Sequence, residues 1–437
     1  MAGDEKKGAV KDFQDKHFFK VELAVQPDKI KEDKAYFLRT LRSGIELESA
    51  NINLSDTEIA RRLGADGNYN EINHWVQRVY CDGTIRPCGQ EIVFKGSTEC
   101  FDSYLKGLSD VEGKLRRMLT SGRHINNDSV SAHITLLTSQ NKELPEAYVA
   151  NYYQLYRKFC DALLWLSGST YQPRNPEINP TPNPHWIVRS GLRQYANPLM
   201  MKSPANGTMA QISRNDSKYV GMYFKNSDGQ QWLDNGSPNG LCVEFRFVDR
   251  ISVPPALVAF KCLLQALLFK AVELSEFGVL NVEANGGDSW EKTKLMTTKI
   301  SSGVALTDGD KQYLVEKSQM LIDFIYPNLR SFDGKSVEIL RKLAVLPIHQ
   351  RYAQGKTDDE IIKDLTPRKQ AEYEKEREVR RIIQLQLVKQ DTATEWSKKV
   401  GGMLGISERT IRHILTKLSG EYKLDFDREI KSYIIIG

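Results

Sequence analysis

Apolar positions along this chain recur with two periods, about two and about three to four residues, and the alternation between them outlines its elements. His17–Val25 spaces Phe, Val, Leu and Val with polar residues, an approximate strand alternation, and Tyr36–Ala50 also reads as strand, with Gly44 near its middle. Ser55-Asp56-Thr57-Glu58 is a capping box that opens a short helix over Ile59–Leu63, ended by Gly64. Trp75–Tyr80 and Gln90–Phe94 are predicted strands flanking the turn Asp82-Gly83-Thr84, followed by a helix over Phe101–Leu119 and a strand at Val130–Leu137. Pro145–Leu166 predicts one long helix with Tyr148, Tyr152, Tyr156, Phe159 and Leu163 as its core stripe. Residues 1–16 are polar, and a loose segment is expected there. Five prolines between Pro173 and Pro184 exclude helix and central strand, so an extended loop is expected there. Leu241–Val248 reads as strand, Pro255–Glu276 as helix, Gly286–Asp308 as a long loop, and Val337–Lys363 as helix broken at Pro347.

Short strands alternating with helices, several of them antiparallel neighbours, make the large part α+β. The expected division is an N-terminal extension (1–35), a main domain (36–330), a helical connector (331–367) and a small C-terminal domain (368–437).

Composition adds limits. The 437 residues are 40% hydrophobic and 9% aromatic, the balance of a folded protein. The longest apolar run, Pro254–Val272, is interrupted by Lys261 and Lys270, and no membrane span is expected. The N-terminus carries no apolar signal-peptide core. Six scattered cysteines form no CxxC pair, which points to a reducing, cytoplasmic compartment, with Cys160 and Cys262 as core residues. Net charge is +5, and residues 368–437 hold 15 basic and 11 acidic residues, so most of the positive excess lies there.

That tail contains Val400, Gly401, Leu404, Gly405, Ile406, Ile411 and Ile414 at helix-turn-helix spacing. Ser407 is placed to cap the second helix. The second helix would present Arg409, Arg412, His413 and Lys417 to a major groove or a phosphate backbone. Two apolar strands beyond Gly420, with Arg428 at their tip, complete the outline of a winged helix, and double-stranded DNA is the expected partner. A protein-docking module of the same shape is the alternative.

In the main domain, four segments place an acid or histidine on a strand: Gly44-Ile-Glu46-Leu-Glu48, Asp82-Gly-Thr-Ile with Gly89-Gln-Glu91, Ala132-His133-Ile-Thr135, and Glu244-Phe-Arg246. Period two puts Glu46 with Glu48, His133 with Thr135, and Glu244 with Arg246 on one face of their strands. Such a cluster is strongly unfavourable without compensation, and hard divalent cations with oxygen ligands supply it.

The order GxExE, DGTI…GxE, AHxT and ExR, over roughly residues 36–275, resembles the amidoligase branch of the glutamine synthetase-like carboxylate–amine ligases. Lys218–Phe224 sits where that branch has a basic-aromatic strand. The resemblance implies an antiparallel sheet holding two Mg²⁺ or Mn²⁺ ions that bind ATP. A substrate carboxylate would be phosphorylated and an amine would then displace phosphate, with small-molecule or peptide carboxylates and amines as substrates. It implies Glu46, Glu48, Glu91, His133, Glu244 and Asp82 as metal ligands and Arg246 as the group that neutralises the transferring phosphoryl. Arg189, Arg193, Arg214 and Lys218 would bind substrate or ATP. The family's second histidine is Thr135 here, which puts that contact in doubt. The alternative is a non-catalytic DNA-binding regulator or replication-type protein whose ligase-like domain senses a ligand or assembles a homo-oligomer. Neither GxSxG nor HExxH occurs, so a hydrolase elbow and a zincin are not indicated.

Overall fold

The computed structural model describes residues 17–65, 72–82, 85, 89–96, 101–120, 130–138, 144–168, 221–224, 242–282, 287–302, 306–332, 334–366, 379, 380, 382, 383, 389–404, 406–421, 423–427 and 432–436. The polar segment 1–16 and the proline-rich loop 173–184 lie outside them.

β1 (Phe18–Phe19) is much shorter than the strand expected over His17–Val25. The chain turns at Lys20, φ +49°, and Val21–Leu23 forms a 3-10 turn. α1 (Pro27–Thr40) overrides the strand expected from Tyr36. Pro27 at its first turn suits a helix start. Ile30, Asp33 and Phe37 are then buried at helical spacing, with Phe37 packed on Tyr148 and Phe269. Only β2 (Arg42–Ser49) remains as strand. α2 (Asp56–Leu63) starts where Ser55 Oγ accepts the Glu58 N–H at 3.2 Å, and Gly64 ends it with φ +116°, a left-handed conformation open to glycine. β3 (Val76–Cys81), β4 (Gln90–Phe94), α3 (Phe101–Arg117) and β5 (Ser131–Leu137) follow as the spacing predicts.

The single helix expected over Pro145–Leu166 is two, α4 (Glu146–Lys158) and α5 (Cys160–Ser167), broken at Phe159 with φ −117° and ψ 18°. Its aromatic stripe is core, as expected: Tyr152 packs on Phe245, and Tyr156 on Phe245 and Phe247. β6 (Met222–Phe224), β7 (Cys242–Asp249), α6 (Pro254–Leu274) and β8 (Val279–Leu280), which pairs with β1, come next. α6 is buried nearly all round, and no described helix is long and apolar enough to cross a membrane. Cys160 and Cys262 are buried.

The loop expected over Gly286–Asp308 contains α7 (Gly287–Ser302). Its glycine, serine and threonine content suggests loop, but Trp290, Thr293, Met296, Thr297 and Ile300 are buried at helical spacing. Packing of that stripe outweighs the weak helix propensity of threonine. α8 (Asp308–Phe332), α9 (Gly334–Val345), α10 (Ile348–Ala353) and α11 (Asp358–Leu365) complete this region, with the expected break at Pro347. Residues 331–367, expected as a connector, instead contribute Ile339, Leu340, Leu343, Ile348, Ile361 and Leu365 to the main hydrophobic core. Ion pairs Lys335–Asp102 and Arg116–Asp358 tie these helices to α3. α1 and α8 likewise run through the expected boundaries at 35 and 330.

The main sheet has the order β3-β4-β2-β5-β7-β6, antiparallel throughout. Ile45, Leu47, Ile92, Phe94, Ile134, Leu136, Val243 and Phe245 are buried in the core, and the residues between them carry the acids.

α12 (Ala393–Leu404), α13 (Glu408–Glu421), β9 (Lys423–Asp427) and β10 (Ser432–Ile436) share a second core with Val379, Ile382, Ile383, Trp396, Val400, Ile411, Ile414, Leu415 and Leu418. A Cβ on Gly401 would lie 2.8 Å from the Ile406 carbonyl, which explains the small residue where the two helices meet. β9 and β10 form the antiparallel pair that the spacing predicts.

Candidate metal centre

Cross-strand register brings Glu46, Glu48, Glu91, His133 and Glu244 together on the polar face, and Asp82 joins them just beyond the end of β3. Glu46 on β2 lies directly opposite His133 on β5, and Glu48 lies directly opposite Glu91 on β4. Thr135 is opposite Glu244, and a one-residue register shift between β5 and β7 falls beside His133. Two sets result. Glu46, His133 and Glu244 form one, and Glu48, Asp82 and Glu91 form the other; within each set the ligand atoms lie within 4.8 Å of one another. All six residues that the resemblance singles out as ligands thus meet on one sheet face.

His133 is central. Its Nδ1 is 3.2 Å from Glu46 Oε2 and 3.3 Å from Glu244 Oε1, while Nε2 is 3.6 Å from Glu48 Oε1. Burial alone pushes the imidazole down, but the Glu46 hydrogen bond and the nearby Glu244 and Glu48 carboxylates lift it above its ordinary value against the opposing charge of Arg246. Burial, together with the Glu46, Glu48 and Asp82 carboxylates, pushes Glu91 up to about 7, with His133 pulling the other way. Five carboxylates therefore face one guanidinium and one imidazole.

Arg246 Nη1 donates to Glu244 Oε1 at 2.6 Å. Its Nε is buried and has no hydrogen-bond partner among the described residues, so a donor remains for an incoming oxygen. Thr135 is half-buried on the same face as His133. Arg189, Arg193, Arg214 and Lys218 lie outside the described residues.

Sequence reasoning missed the supports. Ser131 donates its N–H and its hydroxyl to Glu48 Oε2, both at 2.6 Å. The fully buried Arg250 donates through Nε to the Glu48 carbonyl at 2.9 Å and through Nη2 to Glu112 Oε2 at 2.6 Å, bracing the β2 backbone. Period two from His133 could have flagged Ser131. Nothing local marks Glu112, which is 138 positions from Arg250.

In the C-terminal unit, Ser407 Oγ accepts the Thr410 N–H at 3.2 Å, the expected cap. Arg409, Arg412 and His413 are exposed on α13, and Arg412 is paired with Glu408 and reaches Thr394 Oγ1. The side chain of Lys417, and all of Gly405 and Arg428, lie outside the described residues.

No family model matches the sequence, and no curated protein matches it. Among solved structures it is similar to a bifunctional glutathione synthetase from Pasteurella multocida, with TM-score 0.44 and 12% identity over 83% of this chain and 57% of that one. A second similarity is to the ligase PafA in its complex with the prokaryotic ubiquitin-like protein Pup, with TM-score 0.34 and 13% identity over 87% of this chain and 79% of that one. The chain thus spans only 57% of the glutathione synthetase's length. At these scores neither likeness says what this chain does.

Proposed function

We propose that the chain is an ATP- and Mg²⁺-dependent carboxylate–amine ligase. The observation that carries this reading is the pair of three-ligand sets side by side on one sheet face. Carboxylates directly opposed across strands, as Glu48 and Glu91 are, repel one another. A donor set of carboxylate oxygens and one imidazole suits Mg²⁺ or Mn²⁺, and the free Arg246 Nε–H suits a phosphate oxygen beside them. Glu46, His133 and Glu244 would hold one ion and Glu48, Asp82 and Glu91 the other. Bound there, the cations supply charge neutralisation for the ATP phosphates.

Arg246, held beside the first set by its bond to Glu244, would neutralise the negative charge that develops on the transferring phosphoryl. The substrate carboxylate oxygen attacks phosphorus and ADP leaves, giving an acyl phosphate. The amine nitrogen then attacks the acyl carbon and loses a proton, and phosphate departs to leave an amide. Thr135 offers a hydroxyl at the edge of this site, while Arg189, Arg193, Arg214 and Lys218 would contribute to substrate binding.

The test is amine-dependent ADP release with Mg²⁺ and a panel of carboxylates and amines. Wild type should turn over ATP, and Glu46→Ala should not. The substitution of Thr135 for the family's second histidine favours a second reading, a ligand sensor without turnover. Cation-dependent ATP binding without ADP release would select it.

The same proposal assigns the C-terminal unit to double-stranded DNA, through Ser407, Arg409, Arg412, His413, Lys417 and Arg428. Its support is the exposure of Arg409, Arg412 and His413 on α13. Arg409→Ala plus Arg412→Ala should weaken duplex binding by the full chain in a salt series, and unchanged binding would leave protein docking as the role of this unit.

A further inference from the structure

Ser131 stands between the two ligand sets. Its Oγ is 2.6 Å from Glu48 Oε2, in one set, and 3.1 Å from His133 Nε2, in the other. A serine hydroxyl has one proton to donate, and a carboxylate only accepts. The short contact to Glu48, which also takes the Ser131 N–H at 2.6 Å, requires that proton. Ser131 Oγ must then accept from His133, so Nε2 carries a hydrogen. Nδ1 lies 3.2 Å from Glu46 Oε2, an acceptor, so in the metal-free protein it also carries a hydrogen. With Nε2–H held by Ser131, it is the Nδ1 proton that a cation would displace to gain a lone pair between Glu46 and Glu244.

We propose that Ser131 is a positioning residue for both cation sites, fixing the Nε2–H tautomer of His133 for one and the carboxylate of Glu48 for the other. This rests on the metal-site reading above. Groups behind the ligands fix ring orientation and tautomer, and their loss commonly weakens metal binding 10–100-fold, which is roughly the effect expected here. Ser131 is fully buried on β5 beside the core residue Ala132, and its hydroxyl has no other acceptor to serve within this set.

The experiment is calorimetric titration of the full chain with Mn²⁺, together with ¹⁵N-histidine NMR of the Mg²⁺-loaded protein. His133 should show a protonated Nε2 and an unprotonated Nδ1. Ser131→Ala should weaken both binding events by roughly 10–100-fold, and Ser131→Thr, which keeps the hydroxyl, should restore much of that. A wild-type spectrum with the proton on Nδ1 overturns the inference even if Ser131→Ala does not fold. Equal Mn²⁺ affinity in wild type and Ser131→Ala overturns it while leaving the metal site intact. Absence of any Mn²⁺ binding by wild type removes the site and the inference together.

Discussion

The two faces of the main sheet are built from the same strands and obey opposite rules. On one face Ile45, Leu47, Ile134 and Phe245 are fully buried in the main hydrophobic core, and Phe245 packs on the Tyr152 ring. On the other side, one residue away in each strand, the buried Glu48 and Glu244 and the half-buried Glu46 bring like charges together around the buried His133. The first face holds the fold by apolar burial and packing. The second opposes it, because buried carboxylates repel one another and lose hydration. A sheet tolerates such a face when the opposite one is well packed and a ligand relieves the charge. Local conflicts of this kind mark functional sites.

The largest expected effect is on the packed face. Phe245→Ala should cost about 3–5 kcal/mol in urea unfolding, since it empties a site among Tyr152, Tyr156 and Phe247. A loss below about 1 kcal/mol would show that this face is loosely packed, and the contrast would fail.

On the acidic face, cations should stabilise the protein by mass action. At a concentration 100 times the Kd this amounts to about 2.7 kcal/mol, seen as a higher Tm with Mg²⁺ or Mn²⁺. Glu46→Ala or Glu244→Ala should abolish the rise without unfolding the metal-free protein. A rise that survives in both variants would place the cations elsewhere.

The pH dependence comes from Glu91, whose carboxyl is pushed up to about 7. Below that pH it holds a proton that a cation must displace. Mg²⁺ affinity should therefore fall as pH drops below about 7, by up to about tenfold or 1.4 kcal/mol per unit, and level off above it. Titration calorimetry over this range checks the slope, and an affinity that is flat between about pH 6 and 7 would count against Glu91 as a ligand.

The smallest effect reverses the usual sign of mutation. Without metal, Glu91→Gln should raise stability at neutral pH by up to about 1 kcal/mol, because it removes a like-charge pair with Glu48. The raised carboxyl gives the same direction: folded Glu91 keeps a proton that the unfolded chain releases, so metal-free stability declines from the ordinary glutamate range up to about pH 7. Glu91→Gln should flatten that decline, and with saturating Mg²⁺ the variant should be the less stable protein. Urea unfolding at several pH values, with and without metal, tests both statements.

The two faces also differed in how far the sequence disclosed them. Period two alone separates Glu46 and Glu48 from Ile45 and Leu47, and capping chemistry at Ser55 and Gly64 locates α2, with its end matched and its start expected three residues late. Failures came where tertiary packing decided. α1 and α7 are helices because Phe37 and Met296 found buried positions, whereas the local composition resembled strand and loop. Helices α9–α11 looked like a connector because nothing local reveals that Ile339 and Ile361 reach the main core. In the candidate site, the clustered acids are legible as alternating residues, but Ser131, Glu112 and Arg250 are not. Their roles depend on register and on pairs far apart in sequence.

The position of β7 beside β5 has a consequence for the order in which the protein is made. Roughly one hundred residues separate Leu137 from Cys242, and Glu244 meets His133 only when that span has closed. Long-range pairing of this kind is slow, since chain entropy is lost before any contact repays it. Glu46, Glu48 and Glu91 can pair early through β2 and β4, but the set around His133 is complete only after β7 docks. A cation bound as proposed would therefore find its full complement of ligands only at the end of folding, and would act as a latch on the finished sheet, with no part as a template for its assembly.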